Sequence, residues 1–169
     1  TGHYLNIVKQ VLVKANPTLD ISALLLAQAG MAAEDAGVGC VQVKYANNVV
    51  RPQTYIRKIF GDAAWAPSIG QPNHPDYPSG HSTLAGATAE ILTYHFGDNF
   101  SFTDKSFVDF TGSQHFDARE HSSFTEMANE IGESRVYGQI HYPRSCVDGQ
   151  ALGRKVADNI LSKVKFLKE

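Results

Sequence analysis

With 169 residues, 43% of them hydrophobic, the chain is long enough for one domain with its own core. A net charge of −2, with both signs interspersed, argues against a polyanion-binding surface, so nucleic acid is not an expected partner. The longest apolar run, ISALLLAQAGMAA, carries a glutamine and stops at Glu34, too short and too polar to span a bilayer.

Residues 3–15 place Leu5, Ile7, Val8, Val11, Leu12 and Val13 close to helical period, and Asn16-Pro17 closes the segment. So broad an apolar face calls for a partner surface, expected to be an N-terminal portion of the same chain or a second copy. Thr1 in place of an initiator methionine fits a processing or cleavage boundary, and residues 1–169 read as one helical domain forming the C-terminal part of a longer chain. A soluble protein is expected; the compartment, export included, stays open.

Asp20 reads as the N-cap of a long helix from Ile21 towards Asn47, with Gly37 and Gly39 as candidate interruptions. Arg51-Pro52 breaks it, because proline disfavours helix in the residue before it. QTYIRKIF reads as a short helix, residues 61–78 as an ordered loop, and STLAGATAEILTYHF as a helix again. Residues 98–120 are aromatic and polar without clear period and read as a loop with one short strand at Phe107–Phe110. Ser123 and Glu126 form a capping-box pattern that opens a helix to about Gly138, and a last helix runs from about Val147 to Phe166. Strand-like alternation is almost absent, which predicts an all-α domain. Cys40 and Cys146 have neither a disulfide framework nor metal-site spacing and read as buried small apolar residues, their pairing left open.

Three clusters carry the chemistry. Pro78-Ser79-Gly80-His81 puts a hydroxyl, an unobstructed glycine amide and an imidazole at a helix start, where unpaired amides and the helix dipole favour anions. Lys44 and Arg51, seven residues apart, would share a helical face. Arg135 and His141 bracket the end of a predicted helix and its turn. Each alone has an ordinary explanation: a capped helix, a solvated basic face, a surface arginine. Together they make three cations, a helix-start donor set and two imidazoles. Three cations in one pocket repel unless a multiply charged oxyanion sits among them. Two histidines then suit a divided task, one at the central atom and one as acid and base.

In order and spacing, Lys-x6-Arg-Pro, Pro-Ser-Gly-His and Ser-Arg-x5-His resemble the superfamily of type 2 phosphatidic acid phosphatases, bacterial acid phosphatases and vanadium-dependent haloperoxidases, over Lys44 to about Gly153. The resemblance implies a helical bundle. It implies that His141 bonds vanadium, or is phosphorylated in a phosphatase. Lys44, Arg51, Arg135, the Ser79 hydroxyl and the Gly80 amide would hold the oxyanion, and His81 would be the acid–base group. The cofactor implied is vanadate, with phosphate or sulfate able to take the same site. The extended His74-Pro-x-Tyr-Pro-Ser-Gly-His81 is similar to bromoperoxidases and makes His74 a halide-site candidate, while SRVYGQIHYP and DGQALGR resemble bacterial haloperoxidase-related proteins. Phosphatases of the group carry an Asp four residues after the last His; here that position is Ser145, so Asp148, or else a backbone carbonyl, is expected to orient His141. Haloperoxidases are also much longer. The expected function is halide oxidation by hydrogen peroxide. The alternatives are a phosphomonoesterase with a phosphohistidine intermediate and a non-catalytic oxyanion-binding domain.

Overall fold

Among the described residues the apolar period of the sequence resolves, in the computed structural model, into six helices and one pair of short strands: α1 (Gly2–Ala15), α2 (Leu19–Asn47), α3 (Pro52–Ile59), α4 (Gly80–Phe96), β1 (Phe102–Asp104), β2 (Arg119–His121), α5 (Phe124–Tyr137) and α6 (Pro143–Lys163). The structure describes residues 2–108 and 116–166. The all-α expectation holds. Residues 106–108 form a turn, and the rest of the strand expected at Phe107–Phe110 lies outside the described residues. The strands lie to either side: β1 pairs antiparallel with β2, Phe102 opposite His121.

Helix ends follow local chemistry, with three corrections to the sequence reading. Thr18, not Asp20, is the N-cap of α2; Asp20 sits in the first turn, where the helix dipole favours a carboxylate. Neither Gly37 nor Gly39 interrupts α2, which runs unbroken to Asn47 and stops where Asn48 turns left-handed. α6 begins at Pro143, four residues before the expected Val147, because proline at the first helical position has its φ preset and needs no amide partner. Ser123 caps α5 as its pattern predicts, accepting from the Glu126 amide at 3.0 Å.

α4 is the central helix, buried along most of its length from Ser82 to Leu92. It touches α6 almost backbone to backbone: a Cβ on Gly153 would lie 1.9 Å from the Thr83 carbonyl, and one on Gly86 would lie 2.4 Å from that of Gln150. Only glycine permits this approach. The pairings Gly149 with Ser79, Gly153 with Thr83 and Ala87 show that the two helices run parallel. α2 runs antiparallel to α4, with Cys40 beside Pro78 and Gln28 bonded to His95. α5 runs antiparallel to α6, since Gly132 packs beside Cys146 while Thr125 bonds to Arg154. One end of the bundle therefore gathers the N-termini of α4 and α6 and the C-termini of α2 and α5.

α1 finds its partner surface inside the chain. Tyr4, Ile7, Val8 and Val11 are buried in the common core with Leu25, Ile91, Leu92 and Phe124. Of the face read from the sequence, Ile7, Val8 and Val11 are covered within the chain, while Leu5 and Val13 stay exposed. Exposed apolar side chains also lie on α2, at Val38, Val41 and Tyr45.

Candidate active site

The gathered end of the bundle is built for negative charge. Two helix N-termini meet there, joined by the Ser79 amide donating to the Ser145 carbonyl at 2.8 Å. Lys44 and Arg135 sit in the last turns of α2 and α5, where helix dipoles favour cations. Lys44 and Arg51 are 2% and 3% exposed. They do not share a helical face, because Pro52 keeps Arg51 extended as the N-cap of α3. They meet instead on the loop before α4. Lys44 Nζ donates to the carbonyls of Pro75 at 2.8 Å and Asp76 at 2.9 Å. Arg51 donates from Nε to the His74 carbonyl and from Nη1 to that of Ile140, both at 2.7 Å. A lysine has three donors and an arginine five, so each keeps donors that these carbonyls do not use. Among the described residues neither has a carboxylate within ion-pair distance. Burial lowers the Lys44 pKa to about 8, with Arg51 adding to the effect and Cys40 opposing it.

His141 enters just ahead of α6, buried, and its Nδ1 lies 2.9 Å from Asp76 Oδ1. The contact is within ion-pair range but bent from linear hydrogen-bond geometry. The second Asp76 oxygen accepts a hydrogen bond from Ser145 Oγ, and Asp76 is completely buried. Burial lowers the His141 pKa, Asp76 opposes this, and Arg51 and Lys44 reinforce it. Asp148, the expected orienting acid, is elsewhere: its Oδ2 accepts from the Tyr77 hydroxyl at 2.9 Å and from Arg144 Nε at 2.7 Å. The reason is helical phase. Ser145, Gly149 and Gly153 form the stripe of α6 that faces inward, and Asp148 lies off it. Sequence reading missed Asp76 because it is a loop residue whose partner Ser145 is 69 residues away. The available signal was that Ser145 stands where an acid was expected while HPDYPSGH carries an acid of its own.

His81 and Arg135 face a cavity of about 350 Å³ that Tyr4, His3, Asp104 and His121 also line. His81 reaches solvent through it, yet its pKa is pushed down to about 4 by the surrounding protein, then by Arg135 and His141. The Tyr4 hydroxyl donates to the His81 carbonyl at 2.9 Å, a role for α1 that no motif signals. The Ser79 oxygen caps α4, accepting from the Ser82 amide at 3.3 Å and hydroxyl at 2.9 Å; its own hydrogen remains a donor. Gly80 opens the helix without crowding: a Cβ there would have Cys40 Sγ as its nearest neighbour, at 4.0 Å. His74 is exposed at the outer edge, with Nδ1 3.1 Å from Arg51 Nη2. Cys40 and Cys146 are both buried free thiols close to the site.

The residues thus form a continuous electrostatic set: His74 against Arg51, Arg51 and Lys44 acting on His141, and His141 and Arg135 acting on His81. The donor chemistry fits a tetrahedral oxyanion such as vanadate: cations, helix-start amides and an imidazole, with no cluster of three carboxylate, thiol or imidazole ligands for a bare metal ion among the described residues.

Residues 24–169 match the family model described as the VCPO second helical-bundle domain. A vanadium-dependent bromoperoxidase of Corallina officinalis is 32% identical over an alignment of 104 residues that covers 56% of this chain and 17% of that protein. The crystal structure of the first bacterial vanadium-dependent iodoperoxidase superposes with a TM-score of 0.90 at 34% identity, over 99% of this chain and 40% of that one. A holo-type bacterial vanadium-dependent chloroperoxidase shares the fold, with a TM-score of 0.67 at 21% identity over 79% of this chain and 34% of that one. The chain spans well under half the length of these relatives. It belongs to the vanadium haloperoxidase superfamily and corresponds to its second helical-bundle domain.

Proposed function

We propose that residues 1–169 form one catalytic helical unit that binds vanadate at His141 and oxidises halide with hydrogen peroxide. The observation that carries this reading is the pair of buried cations, Lys44 and Arg51, without a carboxylate of their own among the described residues. An uncompensated buried charge is strongly unfavourable, so a site that keeps two such charges is arranged for a charged ligand.

Vanadate, when bound, would supply a Lewis-acidic centre at which peroxide becomes an oxidant of halide. The protein's own share would be divided among its site residues. His141, backed by Asp76 at 2.9 Å, presents its other nitrogen to the oxyanion. Lys44, Arg51, Arg135, Ser79 Oγ and the Gly80 amide neutralise and orient its oxygens. His81, bordering the cavity of about 350 Å³, accepts and returns protons there, and a nearby anion would draw its depressed pKa back up. His74, exposed beside Arg51, is the candidate on the halide side.

Halogenation of a dye, with peroxide, halide and orthovanadate each supplied and each left out, tests the reading when run beside hydrolysis of a generic phosphate ester. Halogenation that needs all three supports it. Ester hydrolysis without halogenation would replace it with a phosphatase. Oxyanion binding with neither activity would leave a non-catalytic domain.

A further inference from the structure

A histidine that is to bond an electrophilic atom must keep one ring nitrogen free of a proton, and the partner of its other nitrogen decides which one. Phosphatases with a similar motif set carry an acid four residues after this histidine, and here that position holds Ser145. The geometry points to a transposition: Asp76, on the loop before α4, is the positioning residue for His141, and Ser145 holds Asp76 in place.

Four contacts support the assignment. Asp76 Oδ1 lies 2.9 Å from His141 Nδ1, and Oδ2 accepts from Ser145 Oγ. The Asp76 amide donates to the Val49 carbonyl at 2.9 Å, tying the loop to the segment between α2 and α3. Its own carbonyl accepts from Lys44 Nζ at 2.9 Å. A wholly buried carboxylate is tolerated only when its oxygens are compensated: Oδ2 accepts from Ser145 Oγ, and Oδ1, which has no hydrogen bond of its own, has the His141 imidazole within ion-pair distance. The hydroxyl of Ser145 has a single hydrogen to donate, and it goes to Asp76; the serine therefore supports the acid and cannot replace it. The arrangement has a second effect. His74, Pro75 and Asp76 are consecutive, and their carbonyls receive Arg51 and Lys44. One tripeptide thus sets the imidazole through a side chain and both buried cations through its backbone, so ligand and cradle keep a fixed spacing. The expected resting form of His141 is neutral, with its proton on Nδ1 and its lone pair on Nε2.

The use of His141 as an oxyanion ligand rests on the proposed function; the tautomer does not. The test therefore reads both. Long-range 1H–15N spectra of the ligand-free protein, above the ordinary imidazole titration range, should show Nδ1–H at His141 in wild type. Asp76→Asn should lose that form, and orthovanadate affinity measured by calorimetry should fall about 10–100-fold, the usual effect of losing an outer partner of a ligating histidine. The double substitution Asp76→Ser with Ser145→Asp returns the carboxylate to the helix and should restore Nδ1–H and most of the affinity lost by Asp76→Ser alone. Ser145→Ala, which keeps the acid and removes its support, should fold and show a smaller loss. A wild-type tautomer in Asp76→Asn, or a double variant no better than Asp76→Ser, would overturn the assignment. So would unchanged tautomer and affinity in Ser145→Ala, should the Asp76 variants fail to fold. A tautomer that follows Asp76 in a wild-type protein that binds no orthovanadate would support the transposition and sink the proposed function.

Discussion

His81 bears the residue-scale consequence of a pocket crowded with positive charge. Surrounding protein, Arg135 and His141 all oppose its protonation, so its pKa falls from 6.5 to about 4. Between those values the unfolded chain binds a proton that the folded chain refuses, so stability falls as pH falls through that window and is fully present above it. His81→Gln should flatten this dependence: the wild-type thermal midpoint should fall relative to the variant's as pH drops from about 6.5 to about 4. Parallel curves would contradict the depressed value. The same residue separates turnover from binding. His81→Ala should lower peroxide-dependent turnover by about 10²–10⁴-fold, the usual contribution of a positioned acid–base group, while orthovanadate affinity measured by calorimetry stays near wild type. At this scale the sequence showed which residue types gather, because His81, Arg135 and His141 lie in compact motifs. Asp76 was not legible, since its role comes from a fold-made contact with an imidazole on a distant segment.

Elements carry the positioning. α4 and α6 approach closely enough that Gly153 has the Thr83 carbonyl where a Cβ would be, and this approach sets the start of α4 at Ser79 against Ser145 in the first turn of α6. Gly153→Ala must push the helices apart and should destabilise the protein by about 1–3 kcal/mol or more, as overpacked cores do. Gly39→Ala is the matched comparison: a Cβ there meets nothing within 4 Å, and an alanine in a helix interior should add about 0.5–1 kcal/mol. Denaturant midpoints of the two variants should move in opposite directions. Equal shifts would deny that α4–α6 contact is the tight one. The helices themselves were legible from apolar period, as α5 shows from its capping box onward. Their ends were less so. Asp20 and Thr18 are both plausible caps by residue type, and the choice depends on backbone angles that residue type leaves open. Gly37 and Gly39 look like breaks by propensity, yet the helix runs through both unbroken to Asn47, because about 1 kcal/mol of propensity per glycine is small beside the packing of the rest of α2.

For the whole molecule, the bundle's polarity is the functional device. Cations stand at the C-terminal ends of α2 and α5, and an anion placed between the N-terminal ends of α4 and α6 is favoured by both helix dipoles. No helix among the described residues is long and apolar enough to cross a membrane. Parallel and antiparallel order around α4 decides that all these ends coincide, and nothing local in the sequence records it. The claim at stake is that this end holds a tetrahedral oxyanion through His141. Calorimetric titration with orthovanadate, repeated in inorganic phosphate and on His141→Ala, tests it most directly. One site per chain, competition by phosphate and marked weakening in His141→Ala are the predicted results; absence of binding in the wild-type protein, or His141→Ala binding as tightly as wild type, would contradict the account.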